Sequence, residues 1–393
     1  MQYFLLCAGE DSGDVVGESF VSAVIAAGYE ARGTGGARMQ AAGLVPVSEY
    51  ENLPVSGFGD VLPHYFRLRR AFAALRDALK APECVGLVAI DYPGFNMKLC
   101  ALAKRLGKRV LYVAPPQVWA WKSSRARKLR GIPLAVLFDF EREAFERLGC
   151  EARRLSHPFA GGAVPKSATV QATVPTSAAD QTSAAVPFVP SDGPRDLLLL
   201  PGSRKSQALR NLDAYMRVVG DTGLGVTVVA ARKSMMPVLA HALSRYLDGK
   251  APARVSVAVA PESAEARRKM YGGAAGALVA PGTATLELAL SGCPQVVLTV
   301  PDVLTYIMGR LLVKARHFAM PNILLSRGAV PEFICAPWAL KGAAPKVRQA
   351  VQSMQNDGAK AAAASVADEL NSIVAGGKSA AELLGEFFQG NAH

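Results

Sequence analysis

No uncharged apolar run in this 393-residue chain reaches the roughly 18 residues that a membrane-spanning helix needs, so a transmembrane anchor is not expected. Paired cysteines are missing too. The six present, Cys7, Cys84, Cys100, Cys150, Cys293 and Cys335, stand far apart, with no C-x-x-C and no Cys/His spacing suited to zinc. That pattern excludes a disulfide framework and a structural metal, and points to a reducing cytoplasm. No basic segment precedes the apolar run at 3–8, and Glu10, Asp11 and Asp14 follow it directly, so a first strand is expected there rather than a signal peptide. Acidic residues are in deficit: 32 Asp and Glu face 44 Lys and Arg, for a formal charge of +12. Anionic partners such as nucleotides, phosphorylated substrates or acidic lipid are favoured. Nucleic acid is the weaker option, because the basic residues are scattered and no RNP-like motif or basic repeat occurs. Nucleotide fingerprints are absent as well. G-x-G-x-x-G fails at 9–14, where Asp11 holds the second glycine position, and again at 33–38; 200–204 lacks P-loop spacing.

What is present is a well-buried composition, 50% hydrophobic and 19% charged, over a length sufficient for two domains. Apolar runs at 3–8, 85–90, 109–113 and 134–138 alternate with helix-like segments such as 15–27 and 95–106. The rhythm returns at 197–200, 226–230, 255–259, 277–280 and 296–300. This is the pattern of mostly parallel sheets wrapped by helices. Two doubly wound, Rossmann-like α/β domains are expected, at 1–160 and 195–344, facing a common cleft at the C-terminal strand edges. Residues 161–194, built largely from Ala, Ser, Thr, Val and Pro, read as an interdomain linker, and 345–393 as an Ala-rich helical tail.

The sharpest single segment is 276–287. Its apolar run ends in Pro281-Gly282 and passes into Thr283-Ala284-Thr285-Leu286-Glu287, a strand, a tight turn and a helix start. Open amides at such a start suit a diphosphate. With Thr283 as N-cap, the capping-box position falls on Leu286, which leaves Glu287 for another partner such as a ribose diol; a dipole-complementing Glu is the plainer alternative. Glu10 and Ser12 lie in an acidic loop after the first strand, fitted to a sugar or to simple helix capping. Asp91 ends the 85–90 run before Tyr92-Pro93, where a carboxylate can accept a hydroxyl proton or merely shape a turn. Arg204 occupies the matching place after 197–200 and can clamp a phosphate. Asn322 follows Pro321 further on.

Tyr65, Leu68, Phe72, Leu75 and Leu79 recur at helical spacing with Arg67, Arg69, Arg70 and Arg76 between them, a face for an anionic membrane or for the sheet. Phe58, Val61 and Leu62 upstream add an apolar patch. Trp119 and Trp121, before a basic stretch, suit a substrate loop or the core. Of five histidines, His157 is placed for the cleft, or more simply for the hinge.

Taken in order, 8–14, 35–40, 90–96, 118–121, 200–204, 282–287, 311–314 and 321–324 resemble the lipid-A-disaccharide synthase family over almost the whole chain outside the linker. The resemblance implies a GT-B glycosyltransferase with no cofactor and no dedicated metal. It would invert configuration while moving 2,3-diacylglucosamine from UDP to 2,3-diacylglucosamine 1-phosphate. It further implies Asp91 as the base, Glu10 and Ser12 near the reacting sugars, and Arg204, Glu287 and Asn322 around the UDP portion; Gly282, Thr283 and Thr285, at the same helix start, are further substrate-binding candidates. Phe58, Val61, Leu62, Arg67, Arg69 and Arg70 become the membrane contact, on the cytoplasmic face of the inner membrane. A homodimer is compatible with it, the tail being a candidate contact. The chain departs from the family pattern at Asp11, at Gly94 and in its long linker. A UDP-sugar 2-epimerase of similar architecture and a non-catalytic membrane-surface or nucleic-acid binding protein are the alternatives.

Overall fold

The computed structural model describes residues 1–48, 57–118, 123–160, 196–220, 223–246, 254–261, 263–312 and 316–389; for 57–65, 123, 311–312 and 388–389 it describes the backbone alone. The expected linker, Trp119 and Trp121 lie outside the described residues, as do the side chains of Phe58, Val61, Leu62 and Tyr65.

The first sheet contains β1 (Tyr3–Ala8), β2 (Glu30–Thr34), β3 (Val45–Pro46), β4 (Cys84–Ile90), β5 (Arg109–Val113), β6 (Leu134–Val136) and β7 (Ala152–Arg154). They are ordered β3-β2-β1-β4-β5-β6-β7, and every pairing is parallel. The second sheet contains β8 (Leu197–Leu200), β9 (Val226–Ala230), β10 (Val255–Val259), β11 (Gly276–Val279), β12 (Gln295–Thr299) and β13 (Glu332–Ile334). Its order, β10-β9-β8-β11-β12-β13, repeats the doubly wound arrangement, again all parallel. Each sheet is wound by helices: α1 (Asp11–Ala26), α2 (Ala37–Ala41), α3 (Gly57–Lys80), α4 (Pro93–Arg105) and α5 (Asp139–Arg147) in the first half of the chain. The second half supplies α6 (Lys205–Val219), α7 (Met236–Ser244), α8 (Ala264–Gly272), α9 (Thr283–Leu290) and α10 (Val303–Leu312). After these come α11 (Met320–Leu325), α12 (Leu340–Ser353), α13 (Asp357–Val374) and α14 (Ala380–Gln389).

Central strands are apolar throughout because both faces are covered. Tyr3, Leu5 and Cys7 enter one core cluster, and Phe4, Leu6 and Ala8 enter the other. Leu197 and Leu199 likewise oppose Leu198 and Leu200. The strand period of two thus places one apolar set on each side of the sheet.

Contacts divide the chain into one unit of Met1–Ala160, Ile307–Ala315 and Ile373–His393, and another of Gly161–Tyr306 and Arg316–Ser372. The tail is therefore shared. Its last helix, α14, lays Ala380, Leu383, Leu384 and Phe387 into the first unit's core beside α1. Residues 373–378 lead there, with Lys378 bridging to Leu155 and donating its amide to the Arg154 carbonyl.

The apolar stripe of α3 is spent on the core. Leu75 and Leu79 are fully buried, and Leu68 and Phe72 pack against the same cluster. That stripe is the sheet-covering face, not a free one. Arg67, Arg69 and Arg70 are exposed on the same helix, as is Phe66. Among the described residues no helix is long and apolar enough to cross a membrane.

Candidate functional site

In the first unit, β1 and β4 lie side by side where strand order reverses, the place where doubly wound sheets take ligands. The loops leaving both strands meet there. Asp91 and Tyr92 follow β4 in consecutive left-handed conformations, φ 50° and 49°. Such backbone costs of order 1–3 kcal/mol per residue and needs support from its surroundings. The support is visible. Asp91 Oδ1 accepts from the Tyr92 amide at 2.7 Å, and Oδ2 accepts from Ser12 Oγ at 3.0 Å. The Asp91 carbonyl accepts from the Tyr112 hydroxyl at 3.0 Å and from Asn96 Nδ2 at 2.9 Å.

Glu10 is the N-cap of α1 but makes no side-chain cap bond; Ser12 stands in the first turn and reaches Asp91. The two segments that sequence placed far apart are thereby joined through one hydroxyl. Gly9 is required by close approach, since a Cβ there would fall 2.4 Å from Cδ1 of the Tyr92 ring. Asp14, the last carboxylate of this acidic stretch, does not stand on its open side. It is buried and turned inward, accepting from the amides of Arg38 and Met39, both at 3.1 Å, at the start of α2. Burial pushes its carboxyl up, against the opposing pull of those backbone donors.

Asn96 was not singled out by sequence. Its buried Nδ2 also faces the carbonyls of Cys7 and Ile90 at 3.0 Å each, so one amide gathers the ends of β1 and β4 under Asp91. Its Oδ1 is buried with no partner among the described residues. Asn211, on α6, plays the corresponding part in the second unit. Nδ2 donates to the Pro201 carbonyl at 2.9 Å, while Oδ1 accepts from the Val300 amide at 2.9 Å. A polar residue inside an apolar helix face was the available signal for both.

In the second unit the reversal point lies between β8 and β11. Arg204 is the half-buried N-cap of α6. Arg232, after β9, adds a second guanidinium by donating to the Ser203 carbonyl at 3.1 Å. Across from them, α9 starts one residue earlier in register than expected: Gly282, at φ 144°, is the N-cap, and Thr283 is the first helical residue. That φ belongs to glycine, which is why the strand can turn so sharply into the helix. Gly282 and Thr283 are exposed, so the first amides of α9 open to solvent.

The register change moves Glu287 out of the first turn. It sits at the fifth helical position, with Oε1 3.2 Å from Arg267 Nε and Oε2 accepting from the Tyr271 hydroxyl at 3.4 Å. Burial, then the Glu287 carboxylate, push the Tyr271 phenol up. Thr285 is fully buried; its hydroxyl donates to the Gly282 carbonyl at 2.7 Å and accepts from the Met320 amide at 3.1 Å. Asn322 is also buried, its Oδ1 accepting from Val330 N and its Nδ2 donating to the Val330 carbonyl, both at 2.8 Å, and to Glu332. Thr285 and Asn322 therefore brace the turn from within rather than line its surface.

His157 is not displayed toward a ligand. It is 5% exposed, between the rings of Phe138 and Phe159 at 5.2 and 5.1 Å. Among the described residues no group of His, Cys, Asp or Glu is arranged to hold a metal ion.

Two parallel doubly wound sheets, each with loops gathered at its reversal point, make up the GT-B fold. Solved glycosyltransferases share the fold. The calicheamicin glycosyltransferase CalG4 superimposes with a TM-score of 0.57 at 14% identity, covering 100% of both chains. The spinosyn forosaminyltransferase SpnP gives 0.55 at 13%, also covering 100% of both. A family model described as lipid-A-disaccharide synthetase matches residues 4–381. Lipid-A-disaccharide synthase of Nitrosococcus oceani is 33% identical over 335 residues, covering 84% of this chain and 82% of that protein. The Gluconobacter oxydans protein of the same name is 31% identical over 376 residues, 93% and 86%. The chain belongs to the lipid-A-disaccharide synthase family and is a glycosyltransferase.

Proposed function

We propose that the protein transfers 2,3-diacylglucosamine from UDP to the primary hydroxyl of 2,3-diacylglucosamine 1-phosphate, with inversion and release of UDP. The carrying observation is Asp91, a carboxylate held in a strained left-handed turn by Ser12 and Tyr92 at the reversal point of the first sheet. Asp91 takes the hydroxyl proton as the acceptor oxygen attacks the anomeric carbon. The bond from that carbon to the diphosphate breaks, and its electron pair leaves with UDP.

The departing diphosphate needs donors and positive charge, and the second unit offers both, in Arg204 and the open start of α9 at Gly282 and Thr283. Glu287 lies a turn further along, where a carboxylate suits a ribose diol. Thr285 and Asn322 hold the turn in shape behind them. A neighbour of the same fold, the spinosyn rhamnosyltransferase SpnG, was solved with thymidine diphosphate, which supports a nucleoside diphosphate as the leaving group. Acylated, anionic substrates place the protein peripherally on the cytoplasmic face of the inner membrane, with exposed Arg67, Arg69 and Arg70 toward it.

The test is UDP release from both diacylated substrates with Asp91→Asn beside the wild type. Loss of the base predicts a fall in kcat of about 10² to 10⁴ with donor KM little changed. An unchanged kcat removes Asp91 from the role.

A further inference from the structure

We propose that the helical face of the second unit carries a docking groove for an anionic phospholipid surface, lined by none of the residues assigned to sugar transfer. The groove, about 1260 Å³, is lined by α6, α7 and α12. Its floor is apolar, with Leu212 and Leu340 buried and Leu209 and Val238 half-buried. Its rim is cationic.

The balance of charge around it decides what it can hold. Asp213, the carboxylate in the lining, already accepts from Arg217 Nε at 2.9 Å and from the Tyr246 hydroxyl. Arg210 turns to the Val300 carbonyl and to Asp302, and Arg348 to the Val218 carbonyl. Lys205, Arg245 and Lys341 remain, exposed on the rim and without a carboxylate partner among the described residues. Their alkyl stems can lie along the apolar floor while the charged ends reach a phosphate.

Trp338, 65% exposed, also lines the groove, its ring edge-on to Tyr306 at 5.8 Å. Val303 and Leu304, on the same helix as Tyr306, are each 50% exposed. An exposed indole with aliphatic neighbours, beside cations that have no carboxylate partner among the described residues, is the combination that settles at the headgroup level of a bilayer. A soluble nucleotide would use the rim and leave the floor idle. A lipid uses both, the phosphate on the cations and the acyl chain on the floor. The inference does not depend on which sugar is transferred, and its failure leaves that reading intact.

The experiment is partition of the full chain onto vesicles of phosphatidylcholine, with and without phosphatidylglycerol. Variants are Arg245→Glu with Lys341→Glu, Trp338→Ala, and Arg67→Glu with Arg69→Glu and Arg70→Glu on α3 as the comparison. All these side chains are exposed, and unchanged thermal melts confirm the fold. At around 1 kcal/mol for each basic residue near an anionic surface, the Arg245/Lys341 variant should bind phosphatidylglycerol vesicles at least about thirtyfold more weakly. Trp338→Ala should weaken binding to the same vesicles. Groove variants that bind as the wild type, with the loss confined to the α3 variant, overturn the proposal. So does a groove that takes inorganic phosphate or RNA with no preference for anionic vesicles.

Discussion

When the pH falls, His157 is forced toward a proton in a place shaped for its neutral ring. Nδ1 accepts from the Phe159 amide at 3.2 Å, so a proton on that nitrogen would face another N–H. Burial, and then the nearby Arg154 guanidinium, lower its pKa from 6.5 to about 4. In the unfolded chain the imidazole titrates near its ordinary value. Between those two values the unfolded state binds a proton that the folded state refuses, so stability rises with pH across the window. It is complete above 6.5, falls as the pH drops toward 4, and changes no further from this source below that. The interval of 6.5 to about 4 corresponds to about 3 kcal/mol at 1.36 kcal/mol per pH unit. His157→Asn keeps an acceptor for the Phe159 amide and removes the titration. Urea unfolding in steps across the window should show the wild type losing about 3 kcal/mol more than the variant on acidification. Parallel curves for the two proteins would refute the reasoning.

Gly9→Ala would drive a methyl into the Tyr92 ring, 2.4 Å from its nearest atom. The overpacking costs about 1–3 kcal/mol and moves the turn that carries Asp91, so kcat should fall together with the melting temperature. Arg267→Met leaves Glu287 in place with the Arg267 guanidinium gone, and both side chains are mostly buried, 9% and 15% exposed. Stability should drop by about 3 kcal/mol at neutral pH, read as a lower denaturant midpoint. An unchanged midpoint would show that the Arg267–Glu287 pair adds nothing to stability.

Much of this was legible before any coordinates. Central strands announce themselves because burial on both faces demands uninterrupted apolar residues, and the runs at 3–8, 109–113, 197–200 and 226–230 are strands to the residue. β2 escaped notice because Glu30-Ala31-Arg32-Gly33-Thr34 is polar and carries a glycine, and β13 because it is half-exposed. Both lie away from the sheet centre, where the pattern weakens. Within the candidate site, sequence brought out Asp91, Arg204 and the 276–287 turn, since each follows an apolar run at its C-terminal end. It could not see that Ser12 meets Asp91 across 79 residues, or that Asn96 and Asn211 tie strand ends together. Those links are long-range hydrogen bonds, and no local spacing encodes them. The one-residue error at the α9 cap arose because threonine is the commoner capping side chain, whereas φ 144° at this turn admits glycine.

The division of labour between the two sheets is tested most directly by amide hydrogen exchange of the full chain with and without saturating UDP. Protection should appear at 203–206 and 282–285, around Arg204 and the start of α9, and leave 9–14 and 91–94 unchanged. Protection centred on the Asp91 and Ser12 loops, with none in the second sheet, would contradict the account.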